Sequence, residues 1–168
     1  MDVMEMESGD LRAMKGCAEI KEPFFQTLRD AQFVKKGSDT WYYPGQDVWL
    51  VANLQKSQYG CQYYINIAMW LTPLEKPTWP KEHQCHIRIR ATDLGSEADW
   101  DFKRLLSAED LSLPSSERRE RMRSLMQNLV IPFLMSCRDI SGVRSAYETG
   151  KFRGCFVGKG VAEVLRGK

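Results

Sequence analysis

The chain has 168 residues, of which 43% are hydrophobic and 27% are charged, and its formal net charge is +2. A chain of this length buries roughly 70% of its unfolded surface, so one packed core can form without disulfide or metal crosslinks. The near-neutral charge does not indicate a dedicated nucleic-acid binder, and no apolar stretch approaches the ~20 residues that span a bilayer. The composition therefore predicts a single soluble domain.

The five cysteines indicate a reducing compartment. Their number is odd and no two are separated by only two residues, which is not the pattern of a disulfide framework. The first ten residues are acidic and lack an apolar run, so they do not resemble a secretion signal. We therefore expect a cytoplasmic protein with free thiols. The cysteines are Cys17, Cys61, Cys85, Cys137 and Cys155.

The N-terminal part of the chain predicts one helix. Residues 1–15 are expected to be disordered, as the termini of domains often are. Apolar residues then recur at four-residue spacing, at Ile20, Phe24 and Leu28. This is the period of one helical face, so we expect a helix over residues 18–31.

After the helix, apolar and polar residues alternate, which is the period of a strand. Two short strands, Phe33–Lys36 and Thr40–Tyr43, flank a Gly-Ser-Asp turn, and two longer ones, Asp47–Gln58 and Cys61–Leu71, flank Tyr59-Gly60. An even-length turn keeps the apolar residues of the long strands on one face, whereas an odd-length turn would mix the faces. The even turn pairs Val48 with Leu71, Leu50 with Met69, Ala52 with Ile67 and Leu54 with Ile65 on the apolar face, and Trp49 with Trp70, Val51 with Ala68, Asn53 with Asn66 and Gln55 with Tyr64 on the other.

A connection with three prolines, residues 72–84, leads to a fifth predicted strand, Cys85–Ala91. The rest of the sequence has helical periodicity, and a kink is expected near Pro132. The predicted helices span residues 99–106, 116–137, 139–149 and 161–166.

Strands followed by a run of helices indicate an α+β fold. We expect one domain over residues 1–168, with the N-terminal helix first. A helix and an antiparallel sheet of about five strands form residues 16–91, and a helical half, residues 92–168, follows. The helices are expected to pack on one face of the sheet.

The other face of the predicted sheet is the candidate functional site. Arginine offers planar bidentate donors and tryptophan offers a flat stacking surface, so this face is suited to an anion, a base or an acidic loop of a partner. Two alternatives remain open: the face is simply the solvated side of an antiparallel sheet, or the C-terminal helices cover it. The candidate residues are Trp49, Asn53, Gln55, Tyr64, Asn66, Trp70, His86, Arg88 and Arg90.

The sequence supports a catalytic or metal-binding site less strongly than it supports this binding face. His83 and Cys85 are spaced to share a strand face, but His86 points away from them and no second cluster completes a ligand set, so we predict no metal or cofactor. Cys61 and His86 on neighbouring strands would allow a thiol nucleophile. No Gly-x-Ser-x-Gly motif is present.

Three other segments are interpreted as structural. The glycine-rich stretch 154–160 departs from the phosphate-loop pattern and is expected to be a flexible connection between helices. The run Glu117–Arg123 alternates glutamates and arginines at three- and four-residue spacing, which predicts a solvated helix face. The basic C-terminal residues 151–168 are interpreted as a solvated tail.

Several short motifs over residues 20–91 resemble, in their order and spacing, the uncharacterised bacterial domain-of-unknown-function family number 4304. Tyr43 stands where members of that family often have arginine. The family has no established activity, so the resemblance implies a fold and no catalytic residue. The motifs are Phe33-Val34-Lys35-Lys36-Gly37, Thr40-Trp41-Tyr42, Gln55-Lys56-Ser57, Tyr64-Ile65-Asn66 and His86-Ile87-Arg88-Ile89-Arg90.

Aromatic residues and arginines without a catalytic constellation favour a non-enzymatic protein-binding module. Small bacterial domains of this type are often accessory or immunity proteins, which makes a toxin one expected partner. The alternative is an enzyme or binder of an anionic, nucleotide-like ligand, with Arg88 and Arg90 holding the anion and His86 as acid or base. Nucleic acid is a less expected partner, and no membrane partner is expected.

Overall fold

A six-stranded antiparallel sheet, with its strands in sequential order, forms the centre of the computed structural model. The structure describes the backbone of residues 3–167 and the side chains of residues 11–167. The predicted α+β class and antiparallel sheet are confirmed, with one strand more than the sequence suggested. The strands are β1 Val34–Lys35, β2 Thr40–Tyr43, β3 Val48–Lys56, β4 Tyr63–Leu71, β5 Ile87–Arg90 and β6 Phe156–Val157.

The central hairpin has the predicted register. All eight predicted pairs between β3 and β4 are present, from Val48 with Leu71 to Gln55 with Tyr64. The turn is even, as predicted, and spans residues 57–62, where Ser57 N donates to Gln62 O at 2.7 Å. The two-residue side-chain period explains why the pattern alone selects this register.

The first helix, α1, spans Val3–Asp30 and so begins upstream of the predicted start at residue 18. Residues 3–15, part of the segment expected to be disordered, are helical, and residues 1 and 2 lie outside the described residues. The sequence 11–15 consists of good helix formers. Gly16 then allows close packing, because a Cβ there would lie 2.1 Å from Ala108 O.

The helical half contains shorter pieces than predicted. The helix expected over residues 116–137 is interrupted by a π-helical segment, Met126–Val130, just before Pro132. Proline lacks an N–H and its ring clashes with the carbonyl four residues earlier, which accounts for the interruption. The helices are α2 Glu97–Trp100, α3 Phe102–Leu105, α4 Ser115–Leu125, α5 Ile131–Ser136, α6 Ile140–Glu148 and α7 Val161–Leu165. No helix of the described chain is long and apolar enough to cross a membrane.

The main core lies between the helices and the apolar face of the sheet. Phe24 of α1 and Met122 of α4 are fully buried with Leu50, Ile67 and Ile87 of the central strands. A small second cluster on the opposite face contains residues of β2, β3 and β4 together with Cys85, which precedes β5, and no residue of helices α1 to α7. The helices therefore pack on one face, as predicted, and leave the other face uncovered.

The run Glu117–Arg123 is only partly the solvated face that the sequence predicts. Arg121 and Arg123 pair with glutamates of the same helix at partly exposed positions. Arg118 is only 1% exposed, and its Nε lies 3.1 Å from Glu19 Oε2 of α1. This arginine is part of the core because α1 packs against α4, which the pattern within α4 does not show.

Candidate functional site

The nine predicted site residues all lie on the sheet face opposite the helices, which we call the polar face. The pairing of Trp49 with Trp70, Asn53 with Asn66 and Asn66 with Arg90 brings them side by side. The structure does not leave this face uniformly open. Its tryptophan half is covered, and its arginine half is accessible.

The connection between β4 and β5 covers the tryptophan half. Trp79, at 41% exposure, packs its ring edge-on against Trp49 at 5.1 Å and against Tyr42 at 5.3 Å between ring centroids. Trp70 Nε1 donates to Glu75 O at 2.8 Å, and Trp70 is 7% exposed. The cover is thus a segment of the same chain, and the C-terminal helices, which the sequence left as an alternative, do not form it.

His86 belongs to this covered half. Its ring stacks on Trp70 with 4.3 Å between centroids, and its Nδ1 accepts a hydrogen bond from Leu71 N at 2.8 Å. Burial lowers the pKa of His86, while the nearby Glu75 carboxylate raises it. An imidazole nitrogen that accepts a hydrogen bond is unprotonated, so this environment favours the neutral form.

We expect His86 to make the folded protein less stable in acid. Its pKa in the folded state lies below the ordinary value near 6.5, so the unfolded chain binds more protons and stability falls as the pH decreases below that value. Urea unfolding at about pH 7.5 and 5.5 should show a smaller pH dependence for His86→Asn than for wild type. His83→Asn, at an exposed position, is the matched control and should behave as wild type. An unchanged pH dependence in His86→Asn would contradict this role.

Three amide side chains cross the middle of the polar face. Asn66 Nδ2 donates to Asn53 Oδ1 at 3.2 Å and to Gln55 Oε1 at 2.9 Å, and Asn53 Nδ2 donates to Thr40 Oγ1 at 2.9 Å. Asn66 is buried, so these bonds satisfy an amide that would otherwise be costly to bury. They also hold Gln55, which is exposed, at the edge of the accessible half.

The accessible half contains a depression of about 390 Å³, which we call the arginine cleft. The guanidinium carbon of Arg88 lies 3.9 Å from the ring centroid of Phe156 in β6, and that of Arg90 lies 4.6 Å from the ring of Tyr64. Stacking on aromatic rings fixes the planes of both guanidinium groups. The lining includes Gln55, Asn66, Glu82, Arg88, Arg90 and Phe156.

The two arginines of the cleft form no ion pair within the chain as described, although the carboxyl groups of Glu82 and Asp93 also line the cleft. Among residues 11–167, neither guanidinium group forms an ion pair or donates a hydrogen bond. Arg88 Nε is buried and lacks an acceptor. Burial raises the pKa of the Glu82 carboxyl group at the same cleft, with Arg88 opposing that shift. The terminal nitrogens of both guanidinium groups are not buried in this way and could donate to an external carboxylate or phosphate.

The structure does not support the thiol nucleophile considered from the sequence. In the β4–β5 register Met69 pairs with Ile87, so His86 lies at the end of β4 opposite to Cys61. Within β4, Tyr63 and Trp70, the neighbour of His86, are seven residue steps apart, about 23 Å at 3.3 Å per residue, and Cys61 lies two residues before Tyr63. Among the described residues, no group of three His, Cys, Asp or Glu side chains could hold a metal ion.

Sequence reasoning missed the contributions of β6 and of the connection between β4 and β5 to this face. Phe156 and Val157 form β6 beside β5, although their glycine-rich surroundings suggested a flexible connection. An aromatic and a β-branched residue between glycines was the only local signal for this strand. Trp79 and Glu82 come from the proline-containing connection, and no periodicity there indicates which face it covers.

Comparisons with known proteins give one match. No curated protein matches the chain, and no solved structure matches it. One family model, described as a domain of unknown function, matches residues 26–135. That range includes β1 to β5 and the first helices of the C-terminal half, and it contains every residue of the arginine cleft named above except Phe156. The chain therefore belongs to the family of the domain of unknown function DUF4304.

Proposed function

We propose that this protein is a non-enzymatic binding module whose arginine cleft holds an acidic segment of a partner protein. The observation that carries the proposal is the pair Arg88 and Arg90, stacked on aromatic rings and without an ion pair among the described residues. Their terminal nitrogens are not buried and offer charge-assisted hydrogen bonds to a partner carboxylate.

A protein partner fits the shape of this face better than a small ligand does. Phe156 at 47% exposure and Trp79 at 41% exposure flank the face on its two sides and are accessible. Tryptophan, tyrosine and arginine are the residue types that contribute most to protein interfaces. Exposed aromatics spread over a face of this extent suit an extended contact rather than an enclosed ligand.

The proposal extends to an immunity role. A chain that neutralises a toxin by covering its surface needs a binding face and no catalytic group, which agrees with the features of this face. In that role, the toxin would place acidic surface residues against Arg88 and Arg90. This step is an inference from the class of protein and depends on the binding proposal above.

Affinity capture from the native lysate, with quantitative mass spectrometry, tests the proposal. Wild type, Arg88→Glu and the control Arg121→Glu are compared, since Arg121 is partly exposed on α4, away from the polar face. One protein should be enriched by wild type and by the control but not by Arg88→Glu. With the purified partner, Arg88→Glu should weaken the Kd about 30-fold or more. Equal binding by all three variants would contradict the proposal.

A small anionic ligand is the second candidate for the same cleft. The volume of about 390 Å³ lies within the roughly 300–1,000 Å³ of small-molecule sites. Ligand binding to the folded state raises the melting temperature, so inorganic phosphate and adenosine monophosphate are suitable probes. Stabilisation of wild type but not of Arg88→Gln would favour this candidate, and no stabilisation would dismiss it. His86 lies in the covered half and does not line the cleft, so acid–base catalysis receives no support from the geometry.

A further inference from the structure

A second cavity lies where β4 begins and β5 ends, between the sheet and the segment α2–α3. Its volume is about 520 Å³, larger than that of the arginine cleft. Its walls are mainly apolar and include Ile65, Phe102 and Leu106, three buried residues of the main core. We call it the apolar cavity. Pockets of this size with an apolar lining and a few polar groups are typical of small-molecule sites.

More cationic than acidic side chains border this cavity, and the acidic side chain already accepts a hydrogen bond. Arg90 and Lys103 are cationic, and Glu97 is the acidic residue among them. Glu97 Oε1 accepts a hydrogen bond from the backbone N–H of Lys103 at 3.1 Å, so its carboxylate is already engaged at the start of α3. Among residues 11–167, the side chains of Arg90 and Lys103 have no ion pair. An excess of positive charge thus borders an apolar interior.

We propose that the apolar cavity binds a small amphipathic carboxylate, such as a medium-chain fatty acid or an aryl carboxylate. The apolar body would lie against Ile65, Phe102 and Leu106, where burial gains about 25 cal/mol per Å² of apolar surface. The carboxylate would lie at Arg90 and Lys103, which supply charge-assisted hydrogen bonds. A neutral ligand of the same shape would leave both cations without a partner.

This site shares Arg90 with the arginine cleft but is otherwise distinct from it. Lys103 lines the apolar cavity and not the arginine cleft, Arg88 lines the cleft and not the cavity, and Arg90 borders both. Lys103→Gln and Arg88→Gln therefore separate the two sites. Lys103 is exposed, so its substitution is not expected to impair folding.

Isothermal titration calorimetry of the full chain with decanoate, 2-naphthoate and neutral decanol tests the proposal. At least one carboxylate should bind saturably to wild type, about 10-fold or more tighter than decanol, and the better carboxylate identifies the apolar body as a chain or a ring. Lys103→Gln should weaken that carboxylate about 10-fold, while Arg88→Gln should leave its Kd within about twofold.

Three results would overturn the proposal. They are no saturable binding of either carboxylate, equal binding of decanol, or an unchanged Kd in Lys103→Gln. None of them bears on capture of a protein partner through Arg88, so the two proposals fail separately.

Discussion

Replacing Arg118 with methionine is expected to lower the free energy of unfolding by about 3–5 kcal/mol, because it leaves a buried carboxylate without its cation. Arg118 is 1% exposed, and Glu19 is also buried, with Nε and Oε2 3.1 Å apart and off the linear geometry of a hydrogen bond. Ser115 donates its hydroxyl hydrogen bond to the same carboxylate. Among the described residues, Arg118 is the cation that pairs with the Glu19 carboxylate, so removing Arg118 leaves this buried negative charge unbalanced.

Arg118 also holds the backbone between α3 and α4. The two hydrogens of one terminal nitrogen, Nη1, are shared among three carbonyl oxygens, those of Arg104 at 2.9 Å and of Leu105 and Ser107 at 2.8 Å. The methionine variant removes these bonds and the one from Nη2 to the carbonyl oxygen of Asp110, so these carbonyl groups lose their donor. The side chain thus ties α1, α4 and the loop before α4 into one unit.

Chemical denaturation of Arg118→Met beside Arg121→Met measures the effect. Arg121 pairs with Glu117 at a partly exposed position on the same helix, so its loss should cost less than about 1 kcal/mol. The double variant Glu19→Leu, Arg118→Met should be more stable than Arg118→Met alone, because it no longer buries an unpaired charge. Equal costs for the two single arginine variants would show that the buried pair is not formed.

Shortening Ile67 to alanine is expected to cost about 2–5 kcal/mol, through lost burial and the cavity left behind. Ile67 lies in the middle of β4 with no exposed surface, paired with Ala52 of β3 on one side and Ile89 of β5 on the other. The neighbouring strands hold its backbone in place, so the site cannot collapse easily to fill the space.

Val34→Ala is the matched control, a shortening of another β-branched strand residue. Val34 lies in the edge strand β1 and is largely exposed, so its change should stay within about 0.5 kcal/mol. Urea unfolding of both variants and wild type gives the comparison. A cost for Ile67→Ala close to that of Val34→Ala would contradict the register in which Ile67 faces the helices.

The sequence predicted the sheet better than the helices. The register of β3 and β4 follows from alternation, because a shift by one residue would place every apolar side chain on the wrong face. Pro132 likewise marks the disturbed part of the helix at residues 116–137, although the disturbance lies in the preceding π-helical segment. The start of α1 was predicted too late, since its polar N-terminal sequence carries little apolar periodicity.

The candidate site was predicted as a set of residues but not as a surface. All nine residues share a face because side chains alternate along each strand. Which half remains accessible depends on where Trp79 and Phe156 pack, and both reach the face through contacts with residues distant in sequence. Patterns over a few neighbouring residues do not reveal contacts between segments that are distant in sequence.

The sequence by itself determined the fold class, the hairpin register and the composition of the polar face, since each follows from side-chain period and turn length over a few neighbouring residues. Only the tertiary structure decided that Arg118 is buried against Glu19, that β6 extends the sheet, and that residues 72–84 cover the tryptophans and leave the arginines open. These outcomes are set by packing between segments far apart in the chain, where burial and charge pairing outweigh the local preference of each residue.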